Sequence, residues 1–178
     1  MDLKTICAFA LAGILWLSGC SAPPPPIDAS KYETDVAETA LRHLYSELPE
    51  FRGDKQIYTI VVSESLKPAS DAFIKRFADL DLQFVSSDDL LVRDEDHAPY
   101  DPESELSPIF LQVMSPSSVL TESGKVEVAW AHKRKFRKLR LTLNEQEGGT
   151  WSVSNSELIE ESLDDSWMPD WQRKKLEQ

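Results

Sequence analysis

An apolar stretch followed by a block of prolines decides where a folded domain can begin in this chain. The stretch covers residues 6–17, fewer than the roughly 20 residues that a membrane-spanning helix needs. Four consecutive prolines follow at residues 23–26. Proline lacks a backbone N–H, so such a block favours an extended polyproline II segment over a helix or a central strand. The globular fold is therefore expected to start after these prolines.

The flanks of the apolar stretch are those of an export signal. Lys4 lies in a short polar start, and small residues precede Cys20. Leu17-Ser18-Gly19-Cys20 resembles the lipobox of bacterial lipoproteins. The alternative is a buried core helix that ends in Ser-Gly-Cys, but an N-terminal apolar run with these flanks is more often a signal.

The lipoprotein resemblance implies a lipid anchor. It implies that residues 1–19 are removed, that Cys20 receives a diacylglyceryl thioether, and that its freed amine is acylated, with palmitate among the expected acyl groups. Two or three acyl chains make membrane attachment effectively permanent. Ser21 follows the cysteine, which favours the outer membrane of a Gram-negative bacterium over the inner one. We expect a domain that faces the periplasm.

The expected organisation has four parts. A signal peptide (1–19) is followed by the lipidated cysteine and a proline-rich tether (20–30). A single globular domain (31–165) and a C-terminal tail (166–178) complete the chain. At roughly 3.1 Å per residue, the tether would hold the domain some 25 to 30 Å from the anchor.

Cysteine content and charge exclude several classes of chemistry. Cys7 lies in the signal and Cys20 is lipidated, so the mature chain has no thiol nucleophile, disulfide or cysteine metal ligand. The chain carries 31 acidic and 19 basic residues, for a net charge of −12. This balance disfavours nonspecific binding to nucleic acid and to anionic membrane surfaces. We expect no cofactor.

Periodicity predicts an α+β fold. Ser30 and Glu33 have the spacing of a capping box, and an apolar helical face continues to Pro49. Ser70 or Asp71 can cap a second, short helix. A continuous apolar run at residues 57–62 predicts a central strand covered on both faces. Further strands are expected at residues 82–86, 90–93, 108–114, 126–132, 136–144 and 150–154.

The predicted architecture is therefore two helices packed on a mostly antiparallel sheet of about five or six strands, which ends in a three-stranded meander. The order of elements resembles small envelope lipoproteins and the helix-on-curved-sheet arrangement of the nuclear transport factor 2-like class. This resemblance includes no diagnostic motif, and it transfers no functional residue.

Two charged segments are candidate binding sites. An acidic loop is expected at residues 94–107, where Asp94, Glu95 and Asp96 could contact a partner. A calcium site is the alternative, but the spacing lacks the alternating oxygen ligands and central glycine of an EF-hand loop. A solvated loop is therefore favoured.

The second segment is a basic cluster in an acidic protein. Its candidate anion- or partner-binding residues are Arg134, Arg137 and Arg140, set among three lysines within residues 133–140. They could bind phosphates of lipid A, an anionic envelope polymer or an acidic partner. The favoured alternative is a solvated hairpin whose cations neutralise acidic segments of the same domain.

The sequence carries no recognised catalytic motif. It contains no Gly-x-Ser-x-Gly elbow, no His-Glu-x-x-His helix and no phosphate-binding loop, so we expect a protein that is not an enzyme. The expected function is binding or structural support of an envelope component. Two alternatives remain open: an immunity or inhibitor protein against an envelope toxin or hydrolase, and an envelope hydrolase that uses paired carboxylates. Trp167 and Trp171 either cap the core or form an exposed contact.

Overall fold

Two α-helices and ten strands form an α+β fold in the computed structural model. It describes residues 27–49, 55–94, 98–116, 118–120, 123–133 and 135–162. The predicted fold class is confirmed. The helices are α1 (Asp35–Ser46) and α2 (Asp71–Ile74), with 3-10 helices at Ala29–Lys31, Lys75–Leu80 and Ser87–Asp89. The strands are β1 (Ile57–Val62), β2 (Lys67–Pro68), β3 (Gln83–Phe84), β4 (Leu91–Val92), β5 (Pro99–Tyr100), β6 (Ile109–Val113), β7 (Ser118–Leu120), β8 (Ser123–His132), β9 (Lys135–Glu145) and β10 (Trp151–Ser162).

Eight of these strands form one mixed sheet. Its main path runs β10-β9-β8-β6-β1-β2, with β3 beside β1 and β7 beside β8, while β4 and β5 form a separate pair. The meander β8-β9-β10 is antiparallel, as predicted. In contrast, β1 pairs in parallel with β6 and with β3, which the sequence pattern did not indicate. All six residues of β1 are buried, which confirms the predicted central strand.

Helix α1 covers one face of the sheet, here called the helix face. Its residues Ala37, Ala40, Leu41 and Leu44 are fully buried. They pack against alternate residues of the sheet strands, among them Ile60, Leu111, Val128, Leu141 and Leu143. A smaller cluster lies on the opposite side, here called the far face, and includes Val61, Phe110, Ala129 and Phe136. Because side chains alternate along a strand, β1 supplies residues to both clusters.

A glycine allows the start of α1 to approach the sheet closely. A Cβ added at Gly124 of β8 would lie 3.2 Å from both γ-methyl groups of Val36 and 3.4 Å from the Trp151 ring. Trp151 and Val153 of β10 are partly buried against the same core. The helix therefore fixes the beginning of the last strand as well as the central strands.

The predicted capping box at Ser30 and Glu33 is wrong. Thr34 is the N-cap of α1, and its hydroxyl accepts a hydrogen bond from the Ala37 N–H at 3.2 Å. The carboxylate of Glu33 instead accepts hydrogen bonds from the backbone N–H and the hydroxyl of Ser70, at 2.7 and 2.6 Å. Ser70 caps α2, as predicted. Glu33 thus links the entrances of both helices, a tertiary contact that local spacing does not reveal.

The segment expected to be a continuous exposed acidic loop at residues 94–107 contains ordered structure. Pro99–Tyr100 forms β5, which pairs antiparallel with β4. Asp101 is buried, and its carboxylate accepts hydrogen bonds from the Ser104 N–H and hydroxyl at 2.9 and 2.6 Å. The loop prediction was therefore too broad. Composition suggested that Asp101 is solvated, but hydrogen bonds within a local turn allow its carboxylate to be buried.

The last strand is longer than predicted. The sequence pattern ended it at residue 154, whereas β10 continues to Ser162. Its pairing with β9 shifts register between Val153 and Asn155 and again between Leu158 and Glu160. Such bulges interrupt the period-two alternation by which a strand is recognised in sequence.

None of the helices in the described ranges is long and apolar enough to cross a membrane.

Replacing a buried leucine of α1 tests this packing. Leu44→Ala is expected to lower the free energy of unfolding by about 3 kcal/mol, because it leaves a cavity at a fully buried position. Urea unfolding followed by circular dichroism measures the change. Leu91→Ala removes the same atoms from a side chain that is 46% exposed and should cost no more than about 0.5 kcal/mol. Equal losses for both variants would contradict the assigned core.

Candidate functional site

The meander separates the cations that the sequence places together. On β9, Arg137 stands directly opposite Trp130 of the helix-face core, whereas Lys138 is opposite Ala129 of the far-face cluster. Arg140 shares the far face with Lys138 because successive side chains alternate. Arg134 lies outside the described residues. The structure thus places Arg137 and Arg140 on opposite sides of the sheet.

Acidic residues of the neighbouring strands flank Arg140. Glu127 of β8, Arg140 of β9 and Glu157 of β10 stand in register across the far face. The guanidinium lies 2.9 Å from a Glu127 carboxylate oxygen and 3.4 Å from one of Glu157. Lys138 Nζ lies 2.6 Å from the other Glu127 oxygen. These four residues are called the charged row.

Electrostatics within the charged row favour the ionised forms. Hydrogen bonding from Lys138, followed by that from Arg140, lowers the pKa of Glu127, although partial burial opposes the shift. The same Glu127 contact raises the pKa of Arg140. The row contains two cations and two anions, so its formal charge cancels. A phosphate that binds Arg140 would have to compete with Glu127 and Glu157.

Arg137 is engaged on the helix face. Its guanidinium lies 3.2 Å from a Glu161 carboxylate oxygen. The guanidinium carbon is 6.0 Å from the centre of the Trp130 ring, within reach of a cation–π interaction. These contacts agree with the interpretation that basic residues of this segment neutralise acids of the same domain.

The most exposed part of the meander is β10, which sequence reasoning did not identify as a site. It is the terminal strand of the sheet path, with β9 on one side. Leu158 is 56% exposed and Ile159 is 37% exposed, whereas most large apolar side chains of the described strands are buried. Glu160 stands opposite Lys138, yet it forms no ion pair within the described ranges. Leu158 and Ile159 are adjacent apolar residues in the sequence, but the predicted strand ended at residue 154 and did not include them.

The acidic candidate residues are only partly described. Asp94 is exposed just after β4, while Glu95 and Asp96 lie outside the described residues. Hydrogen bonding from Ser104 lowers the pKa of Asp101, the buried acid of this segment. Among the residues that the structure describes, no three histidine, cysteine or acidic side chains are grouped to hold a metal ion.

A depression of about 430 Å³ lies where the parallel strands β1 and β6 end. Its wall includes Ser63, Ser65, Met114 and Ser115. Ile27, which directly follows the proline block, also lines it. Ser63 has a left-handed backbone (φ 64°), and its hydroxyl is 2.7 Å from that of Ser65. The depression is open to solvent, and its described lining offers hydroxyl groups and the Glu64 carboxylate but no cation.

Cys20, the predicted lipidation site, lies outside the described residues. No protein-family model, curated protein or solved structure matches this chain. Function is therefore inferred from the chain's own residues.

The charged row makes stability depend on pH. The pKa of Glu127 is lowered in the folded state, so its contribution is complete above the unfolded glutamate value of about 4.3. That contribution is lost as the pH falls through the lower folded-state pKa. Glu127→Gln should cost about 1 kcal/mol in urea unfolding at pH 7, and the difference from wild type should shrink between pH 5 and pH 2.

Glu145→Gln is the matched control. Glu145 is exposed at the end of β9 and has no ion pair within the described part of the chain. We expect its effect at pH 7 to be within about 0.5 kcal/mol. A Glu127→Gln effect that is independent of pH would contradict the assigned role of the carboxylate.

Proposed function

We propose that this protein is a lipoprotein anchored to the outer membrane through Cys20, whose domain on the periplasmic face binds another envelope component and is not an enzyme. The observation that carries the anchor is Leu17-Ser18-Gly19-Cys20 at the end of a short apolar stretch. Ser21 supports outer-membrane sorting. The acyl chains of Cys20 would be the contact with the membrane.

The proline block between Cys20 and Ile27 can serve as a short spacer. Seven residue steps separate Cys20 from Ile27, four of them at prolines. In the polyproline II conformation this segment spans roughly 22 Å. The depression at Ile27 would then lie on the side of the domain from which the tether leaves. A domain held in this way keeps its surface available to other envelope proteins.

The contacts of four described carboxyl groups fit a structural role better than that of a general acid. Wherever a carboxyl pKa is shifted in the described ranges, it is lowered: Asp28, Asp79, Asp101 and Glu127. A hydroxyl or a cation beside the carboxylate is the largest cause in each case. A general acid at neutral pH requires a raised pKa, as in glycoside hydrolysis. These acids serve structural contacts instead.

A protein partner is favoured over an anionic polymer. The two described arginines of the basic cluster already contact glutamates of β8 and β10. The exposed Leu158 and Ile159 offer apolar area of the kind that protein interfaces bury. We therefore place the binding function on β10 and its neighbourhood.

Fractionation tests the anchor. Wild-type protein should sediment with outer membranes, and globomycin should cause its unprocessed form to accumulate. Cys20→Ala should abolish lipid labelling and processing at this site. Cys7→Ala is the matched control, because it removes the cysteine inside the signal and should leave lipidation intact. Identical soluble processing of wild type and Cys20→Ala would refute the anchor.

Crosslinking in intact cells tests the binding role. A photoreactive residue at Ile159 should capture one specific envelope protein, whereas the same residue at the exposed Leu91 should not. Capture from Asp94 instead of Ile159 would indicate the immunity or inhibitor function. Recovery of only abundant envelope proteins from every position would count against a specific binder.

A further inference from the structure

We propose that the outer edge of β10 binds an extended segment of a partner protein as an additional strand, and that this segment alternates basic and apolar side chains. This inference rests on the proposed binding function and specifies the chemistry of the partner segment. It is carried by three properties of residues 155–162: a backbone edge that no described strand pairs with, exposed apolar side chains, and the acids Glu157 and Glu160 on the far face.

The backbone of β10 provides the docking edge. The strand has 12 residues, which corresponds to roughly 40 Å of extended chain. With β9 on one side, about half of its N–H and C=O groups point away from the sheet. No other strand of the described ranges pairs with that side. Such an edge can accept an extended peptide through main-chain hydrogen bonds.

Near the end of β10 the far face carries two acids, whereas the helix face carries Leu158 and Glu161, and Glu161 is already paired with Arg137. Glu157 is opposite Arg140 and Glu160 is opposite Lys138, which places both acids on the far face. Leu158 is opposite the core residue Leu139 and therefore lies on the helix face. Side chains of an added strand would alternate between these same two faces, with Ile159 as the extra residue of the bulge between Leu158 and Glu160. Basic residues would meet Glu157 and Glu160, and apolar residues would cover Leu158.

Charge complementarity favours a foreign basic segment over a second copy of this chain. An antiparallel β10–β10 pair with its two-fold axis between Leu158 and Ile159 would place Glu157 opposite Glu160. Like charges directly opposite each other destabilise strand pairing. The protein also carries a net charge of −12, which adds long-range repulsion between copies and attraction for a cationic partner.

Protection of the edge is the competing explanation for the acids of β10. Charged side chains and bulges are common ways to prevent unwanted strand pairing, and β10 has both. Protection does not explain two adjacent large aliphatic residues that are 56% and 37% exposed at the same place. Acids together with exposed aliphatic side chains disfavour pairing with a neutral or acidic strand and favour pairing with a strand that carries basic and apolar residues.

Peptide binding to the processed full chain in detergent tests the assignment. The probe is a capped peptide of four Lys-Val repeats, titrated by fluorescence anisotropy. We expect saturable binding that weakens at least about tenfold when the sequence is rearranged to Lys-Lys-Val-Val repeats or when every backbone nitrogen is methylated. Hydrogen exchange should show new protection at residues 155–162.

Variants locate the interaction. Glu160→Lys should weaken peptide binding roughly fivefold, and Glu160→Gln about twofold, because the pairing charge is reversed or removed. Leu158→Ala should weaken it several-fold without unfolding an exposed position. Glu64→Lys is the control with the same change in net charge, placed on an exposed turn after β1. It should weaken peptide binding only by the small amount that the change in net charge causes.

Several results would overturn the proposal. Absence of saturable binding, or equal affinity for the rearranged peptide, would leave only nonspecific attraction of cations. Protection of residues 155–162 that grows with protein concentration would assign the edge to a second copy. Protection in the free chain that disappears when Arg173, Lys174 and Lys175 become glutamate would assign it to the chain's own C-terminal segment. Peptide binding does not require lipidation, so its failure and failure of the Cys20 anchor are separate outcomes.

Discussion

The packing of α1 across the sheet is the contact on which the rest of the structure depends. The helix has a fully buried apolar face, and the strands beneath it supply a matching set of aliphatic residues. Burial of such side chains is the main favourable term in folding, and it holds strands together that are far apart in sequence. Gly124 allows the start of the helix to approach the sheet closely. Val36 of α1 and Trp151 at the beginning of β10 both lie next to this glycine.

Charge is distributed so that the fold tolerates a strongly acidic composition. Cations of β9 lie between acids of β8 and β10, and Glu33 joins the entrances of the two helices through Ser70. Arg42 makes a comparable bridge from α1 to Asp79, at 2.9 Å, and its guanidinium carbon lies 5.1 Å from the centre of the Phe77 ring. These contacts use most of the described arginines internally. The surface that we propose for recognition is the outer strand β10, where backbone groups and apolar side chains are exposed together.

The sequence predicted the elements whose signals are local. The apolar face of α1, the continuous run of β1 and the cap at Ser70 each follow from spacing within a few residues, and all three are present. The parallel pairing of β1 with β6 was not predictable, because it joins segments about 50 residues apart. The true extent of β10 was also hidden, since two bulges break the alternation and its acids resemble those of a loop. The candidate site shifted accordingly from the arginines of β9 to the edge beside them.

By itself, the sequence determined the α+β class, which depends on composition and short-range pattern, and it predicts a lipidation signal at Cys20, a proline tether and a mature chain without a free thiol. Only the tertiary structure decided which side chains face one another. It separated Arg137 from Arg140 by the alternation of a strand, paired both with glutamates of β10, and left Leu158 and Ile159 exposed at the end of the sheet. The reason is that register, bulges and strand order depend on contacts between distant segments, which no local pattern in the chain records.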